Sequence, residues 1–209
     1  MFASIDTKSL ILGAIWLSQF CYLIGFIPQI IMNYRLQSLR GLSDLYIFSF
    51  FNGYIAELFY VFCLGLPVPY QIMVPVCTIG MSIIVFQRFY YGTQDSWSSK
   101  LLWIYVGNIV LAVGLIPIAI ASPYKFGHAA GWLTAIIWCT YQIPQLVKIF
   151  FYRTVYGFSF GFATMIAMAA FIECGMALII GLPYQTIISS ARGVLVYLLF
   201  CVQFVLFRR

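Results

Sequence analysis

Pro28-Gln29-Ile30-Ile31-Met32-Asn33-Tyr34-Arg35, followed by Gly41-Leu42-Ser43, Glu57 and Gly65-Leu66-Pro67, decides the fold, because the same order returns 116 positions later. The second copy reads Pro144-Gln145, Gly157-Phe158-Ser159, Glu173 and Gly181-Leu182-Pro183. The copies align without a gap from Pro28 to Pro67 and from Pro144 to Pro183, and eight of those 40 positions are identical. In so apolar a chain chance would match Leu, Ile and Phe; matched Pro, Gln, Gly and Glu indicate a duplication.

The 209 residues are 64% hydrophobic, and only 8% are charged, against about 25% in an ordinary soluble domain. Such a surface cannot be covered with groups that water solvates, so most of the exterior faces lipid. Apolar runs between charges and Gly/Pro breaks predict seven transmembrane helices near 9–33, 45–64, 71–91, 101–121, 127–150, 160–180 and 186–207. The first run is too long for a signal-peptide core and no cleavage site follows it. Each copy holds three spans, and a fourth must return the chain between them. The expected fold class is therefore an all-α integral membrane protein of 3+1+3 plan: a three-helix bundle over 9–91, a linker helix over 101–121 and a second bundle over 127–207. Parallel repeats of this kind place a substrate site at their interface near the midplane.

Eight basic residues, Arg35, Arg40, Arg88, Lys100, Lys148, Arg153, Arg208 and Arg209, flank one face, and only Lys8 and Lys125 flank the other. The positive-inside rule makes the first face cytoplasmic, with the N-terminus extracytoplasmic or lumenal and the C-terminus cytoplasmic. The net charge of +6 is spread singly and forms no patch for nucleic acid. Six cysteines lie inside apolar stretches with no metal-ligand spacing and read as packing residues. Only Arg208 and Arg209 follow Phe207, which leaves no tail for a sorting signal and favours a bacterial inner membrane over a lysosome- or vacuole-type one.

A proline within a membrane helix deprives the carbonyl one turn earlier of its donor, so Pro28 should free Ile24 and Pro144 should free Thr140. Both are expected hinges, with Gln29 and Gln145 bonding the freed backbone or a partner helix to close the cytoplasmic side. Glu57 and Glu173 lie seven or eight residues from the outer ends of their helices, about 10–12 Å deep. A carboxyl there must be protonated, paired or exposed to a water-filled cavity, so the two are expected to bind a proton or the cationic end of a substrate. Arg192, at similar depth in the last span, has three readings: pairing with Glu173, snorkelling outward, or holding a substrate carboxylate. Asn33, Asn52 and Gln142 are candidate site-lining residues that helix-to-helix hydrogen bonding explains equally well. Gly157-Phe158-Ser159-Phe160-Gly161 matches the G-x-S-x-G elbow of hydrolases. The one histidine, His128, belongs to the opposite face, so Gly157 and Ser159 read as a turn and helix cap, as do Gly41 and Ser43.

Pro28-Gln29 with Gly41-Leu42-Ser43, and Pro144-Gln145 with Gly157-Phe158-Ser159, resemble the two motifs of the PQ-loop family. That family includes cystinosin, lysosomal cationic amino-acid exporters, vacuolar basic amino-acid transporters and the SWEET sugar carriers. The resemblance implies alternating access about Pro28 and Pro144. Two departures stand out: Lys148 and Phe151 replace Met32 and Arg35 of the first copy, and Asp44 follows Gly-Leu-Ser directly, one position earlier than the acidic residue of cystinosin-like proteins. The expected function is secondary transport of a small polar solute toward the cytoplasm, with protons as coupling ion and no other cofactor. Cationic amino acids are preferred, cystine next. The alternatives are a sugar uniporter and a seven-helix ligand or cargo receptor; an enzyme is disfavoured for want of a nucleophile and base on one side.

Overall fold

Long apolar runs satisfy their backbone internally when lipid surrounds them, and the computed structural model is accordingly all helix among the described residues, which are 7–92 and 96–207. Arg208 and Arg209, two of the basic residues counted above, lie outside the described residues, as does the side chain of Lys8. The helices are α1 (Thr7–Leu36), α2 (Asp44–Cys63), α3 (Val68–Tyr90), α4 (Ser96–Ala121), α5 (Pro123–Thr140), α6 (Ile143–Tyr152), α7 (Phe160–Ile180) and α8 (Tyr184–Phe207). Six of them are long and apolar enough to cross a membrane. The seventh rod is α5 and α6 together, interrupted at Tyr141 and Gln142, where Pro144 has no amide to offer Thr140. Both interrupting residues keep right-handed helical angles, so the chain kinks without looping out. Pro28 differs from its repeat partner: α1 runs through it unbroken.

The repeat is visible in the turns. Gly65 and Gly181 adopt left-handed φ of 59° and 65°. Beyond each, a leucine amide reaches five residues back, Leu66 to Val61 O and Leu182 to Ala177 O, both at 3.0 Å. This is the Schellman closure that a glycine without a Cβ allows. At the opposite end Gln37 and Arg153, also 116 apart, are the two non-glycine residues with positive φ among those described.

Helix pairing has the same symmetry. In the first bundle α3 packs against both α1 and α2, and in the second α8 packs against α5 and α7. The bundles meet through α1 on α7 and α2 on α5, the most extensive helix interfaces in the molecule. The linker α4 packs mainly against α2 and α5, meets α3 where Tyr105 stands edge-on to Phe89, and is the least buried of the six spanning helices. Between the bundles lies an aromatic core in which Phe26, 1% exposed, stacks on Phe50 at 5.8 Å and lies tilted against Phe162 at 6.0 Å. Tyr46 and Tyr141 stack from opposite halves at 5.5 Å.

Candidate functional site

Two layers of polar groups flank that aromatic core. At the basic end, Gln29 of α1 crosses to the other half: its carbonyl accepts from Ser159 N at 2.8 Å and its amide donates to Gly157 O at 3.0 Å. Gln145 of α6 returns the same pair of bonds, accepting from Ser43 N at 2.8 Å and donating to Gly41 O at 3.0 Å. Both glutamines are fully buried. Each Pro-Gln thus clasps the Gly-x-Ser loop of the opposite repeat, and the partner is loop backbone, not the carbonyl freed by its own proline. The loops touch at glycines: a Cβ on Gly41 would lie 2.1 Å from Tyr156 O and 2.5 Å from Gly157 Cα.

The clasp has a second row. Gln87 Nε2 donates to Ile30 O at 3.1 Å and Gln203 Nε2 to Leu146 O at 2.8 Å, again 116 positions apart. Asn33 is buried in this network, accepting from Gln29 and donating to Gln87 at 2.9 Å. The halves then diverge. Lys148 donates to Arg40 O and Leu42 O at 2.6 Å each, tying down the first loop. Asp44 takes a two-pronged bond from Arg88, with Nη2 to Oδ2 at 2.9 Å. The corresponding positions in the second half are Phe160 and Phe204, whose rings meet edge to face at 4.8 Å. Ser159 caps α7 by accepting from Phe162 N at 3.2 Å, whereas Ser43 starts α2 without a side-chain cap bond. His128 stands against Tyr124 at the start of α5, and the serine of the G-x-S-x-G segment serves as a helix cap.

On the other side of the aromatic core, toward the Gly-Leu-Pro turns, a cavity opens between the bundles. Its water-accessible volume is about 60 Å³, room for a few waters. Glu57 of α2 and Glu173 of α7 both line it, one carboxyl from each half. Each is met by an aromatic residue of the opposite repeat. Tyr22 donates to Glu173 Oε2 at 2.8 Å, and Trp138, 116 residues after Tyr22, stands beside Glu57. The environments are unequal: Glu173 is 8% exposed and tied to Tyr22, while Glu57 is half-buried at the cavity wall. Among the described residues neither glutamate forms an ion pair.

Arg192 of α8 also lines the cavity, but it is turned away from Glu173. Its Nη1 donates to Gln142 Oε1, and its guanidinium lies over the Tyr141 ring at 5.1 Å. This overrides pairing with Glu173, because the kink before Pro144 presents Tyr141 and Gln142 to the arginine first. The arginine Nε is buried without a hydrogen-bond partner, as is the hydroxyl of Thr134 on the same cavity. Gln142 reaches the cavity only through Arg192 and also donates to Tyr141 at 2.8 Å. Asn52 turns back onto Phe48 O at 2.9 Å and does not line the cavity. Tyr22, Thr134, Trp138, Gln87 and Gln203 escaped the reading from sequence. Carrying the offset of 116 beyond the 40 aligned positions would have paired Tyr22 with Trp138 and Gln87 with Gln203.

The family described as "PQ loop repeat" matches residues 10–70 and 126–186, two windows displaced by the same 116 positions that relate the clasps and the glutamates. The chain is also similar to an uncharacterized protein of Schizosaccharomyces pombe, with 28% identity over 170 residues covering 77% of this chain and 57% of that protein. It therefore spans little more than half the length of that relative. Matched over more than half its residues, and carrying both Pro-Gln motifs in one crossed geometry, this chain belongs to the PQ-loop repeat family of membrane proteins.

Proposed function

We propose that this protein is a secondary transporter of small polar solutes, amino acids and cationic ones first, moving them toward the cytoplasm in symport with protons by alternating access. The family includes transporters, and one observation carries the finer reading: each repeat places a carboxyl on a single cavity between the bundles, and among the described residues neither forms an ion pair. A carboxyl at that depth needs a proton or a bound cation, and in symport one carboxyl carries the proton while the other holds the cationic end of the substrate. Glu57, the less restrained, is the better exchanging group, and Glu173 with Tyr22 forms the fixed wall. Arg192, with Thr134 beside the same space, suits the carboxylate of an amino acid. The basic end, read as cytoplasmic, is closed by the clasps, so this arrangement faces away from the cytoplasm. The cavity is smaller than an amino acid, and loading requires the bundles to part at the Gly-Leu-Pro end.

The test is uptake into proteoliposomes of labelled lysine, arginine, cystine and glucose. With the outer side one pH unit more acid, lysine should accumulate by about tenfold per coupled proton, and reversing the gradient should suppress uptake. Glu57→Gln should abolish the pH response and Glu173→Gln should reduce it. Normal uptake with an unchanged pH response in both would remove protons from the mechanism, and glucose uptake without gradient dependence would replace the substrate class.

The two prolines are the proposed hinges, and they should not be equivalent. Pro144→Ala supplies a donor for Thr140 O and removes a helix break that costs about 3 kcal/mol, fusing α5 and α6. Transport should slow more in Pro144→Ala than in Pro28→Ala, where α1 is already continuous, while lysine binding changes little in either. Loss of binding with normal exchange rates would refute the hinge assignment.

A further inference from the structure

We propose that the groove between α1, the loop 153–159 and α8 binds an anionic glycerophospholipid from the leaflet at the basic end, with its phosphate on Arg35. The bound lipid braces the Gln29 clasp. The groove has a volume of about 960 Å³ and opens sideways, with Ile31 and Phe160 nearly half exposed and Val205 83% exposed. It runs along α1 from Ile27 to Arg35, about 12 Å at helical rise, most of the roughly 15 Å half-thickness of a bilayer core. Apart from Arg35 and the Tyr156 hydroxyl at its mouth, the walls are apolar. At that depth an acyl chain fits the walls, and a lipid phosphate fits the mouth.

The charge at the mouth selects the headgroup. Arg35 is exposed and has no side-chain partner among the described residues. A second cation stands nearby, since Arg153 lies over the Phe207 ring at 5.3 Å at the end of α8. The equivalent place in the other half is built differently. Phe151 stands for Arg35, Lys148 for Met32, and the Asp44–Arg88 ion pair for the Phe160–Phe204 contact. Polar groups close that side and would desolvate under an acyl chain, so the repeat offers one lipid groove and not two.

The groove floor connects the lipid to the clasp. Pro28 and Gly157 both line it, and they adjoin Gln29 and carry the carbonyl that Gln29 bonds. Parting the bundles at the basic end separates α1 from this loop and splits the groove, so an occupant favours the closed arrangement.

The test is native mass spectrometry of the full chain released from nanodiscs of equimolar phosphatidylglycerol and phosphatidylcholine. Wild-type protein should retain phosphatidylglycerol about fivefold over phosphatidylcholine, the discrimination that one arginine near an anionic surface carries. Arg35→Gln should bring that ratio near one, Arg40→Gln, beside Lys148 at the equivalent place, should leave it, and Ile31→Trp, which fills the groove, should lower retention of both lipids. All three positions are at the surface, so folding is preserved. Equal losses from Arg40→Gln and Arg35→Gln, or full retention by Ile31→Trp, would overturn the site. Hydrogen exchange at the Ser159 amide should be slower in phosphatidylglycerol than in pure phosphatidylcholine nanodiscs, and equal exchange would overturn the bracing.

Discussion

Gly41→Ala should leave this protein unable to close at its basic end. The added Cβ would sit 2.1 Å from the Tyr156 carbonyl and 2.5 Å from Gly157 Cα, and what it meets is backbone of the opposite loop, with no flexible side chain to yield. The loops must separate by more than 1 Å to restore ordinary contact, and separation breaks the four bonds of Gln29 and Gln145. At about 1 kcal/mol each, their loss amounts to roughly 4 kcal/mol, near a thousandfold in the ratio of closed to open protein. Spin labels at Ser38 and Thr154, in a background without the six native cysteines, would read the change as a longer distance between loops. Gly157→Ala should act in the same direction, since its Cβ would lie 2.8 Å from Gly41 Cα and its φ of 78° disfavours any side chain. An unchanged distance in Gly41→Ala would mean that the loops do not meet through their glycines.

Gln29→Leu should be the next most severe change, and more severe than Gln145→Leu. Removing the Gln29 amide leaves Ser159 N and Gly157 O without partners in a buried place. At about 1–3 kcal/mol for each orphaned group, the closed arrangement loses roughly 2–6 kcal/mol. Gln145→Leu strands the equivalent groups, Ser43 N and Gly41 O. There, however, Lys148 still holds the first loop through two carbonyls and Asp44 still holds Arg88. Solute exchange should therefore fall in both variants and fall further in Gln29→Leu, with the same order in the distance measurement. The reverse order would show that Lys148 and the ion pair do not stabilise closure.

Much of this was open to reading before any coordinates. The seven rods follow from apolar run length, because lipid forces each crossing to satisfy its own backbone, and their ends agree with the helices to within a few residues. The Gly-Leu-Pro turns and the offset of 116 came from residue identity alone, and the family windows carry the same offset. Pro28 and Pro144 looked equivalent by that logic, yet only α5–α6 is broken. Arg192 likewise had three readings, and its contacts to Gln142 and Tyr141 beside the kink are ones that none of them named.

What the sequence determined by itself is the duplication and everything local to it: which residues occupy matched places, where each helix stops, and that each half carries one carboxyl at the same depth within an apolar helix. Only the tertiary structure decided what faces what. Gln29 meets the loop of the other repeat, Tyr22 meets Glu173, and Lys148 and Arg88 secure one loop while aromatic rings pack behind the other. The physical reason is that helix ends and turns answer to neighbours within a few residues along the chain. A crossed contact depends on how two bundles rotate and dock, which is settled by side-chain packing between residues more than a hundred positions apart.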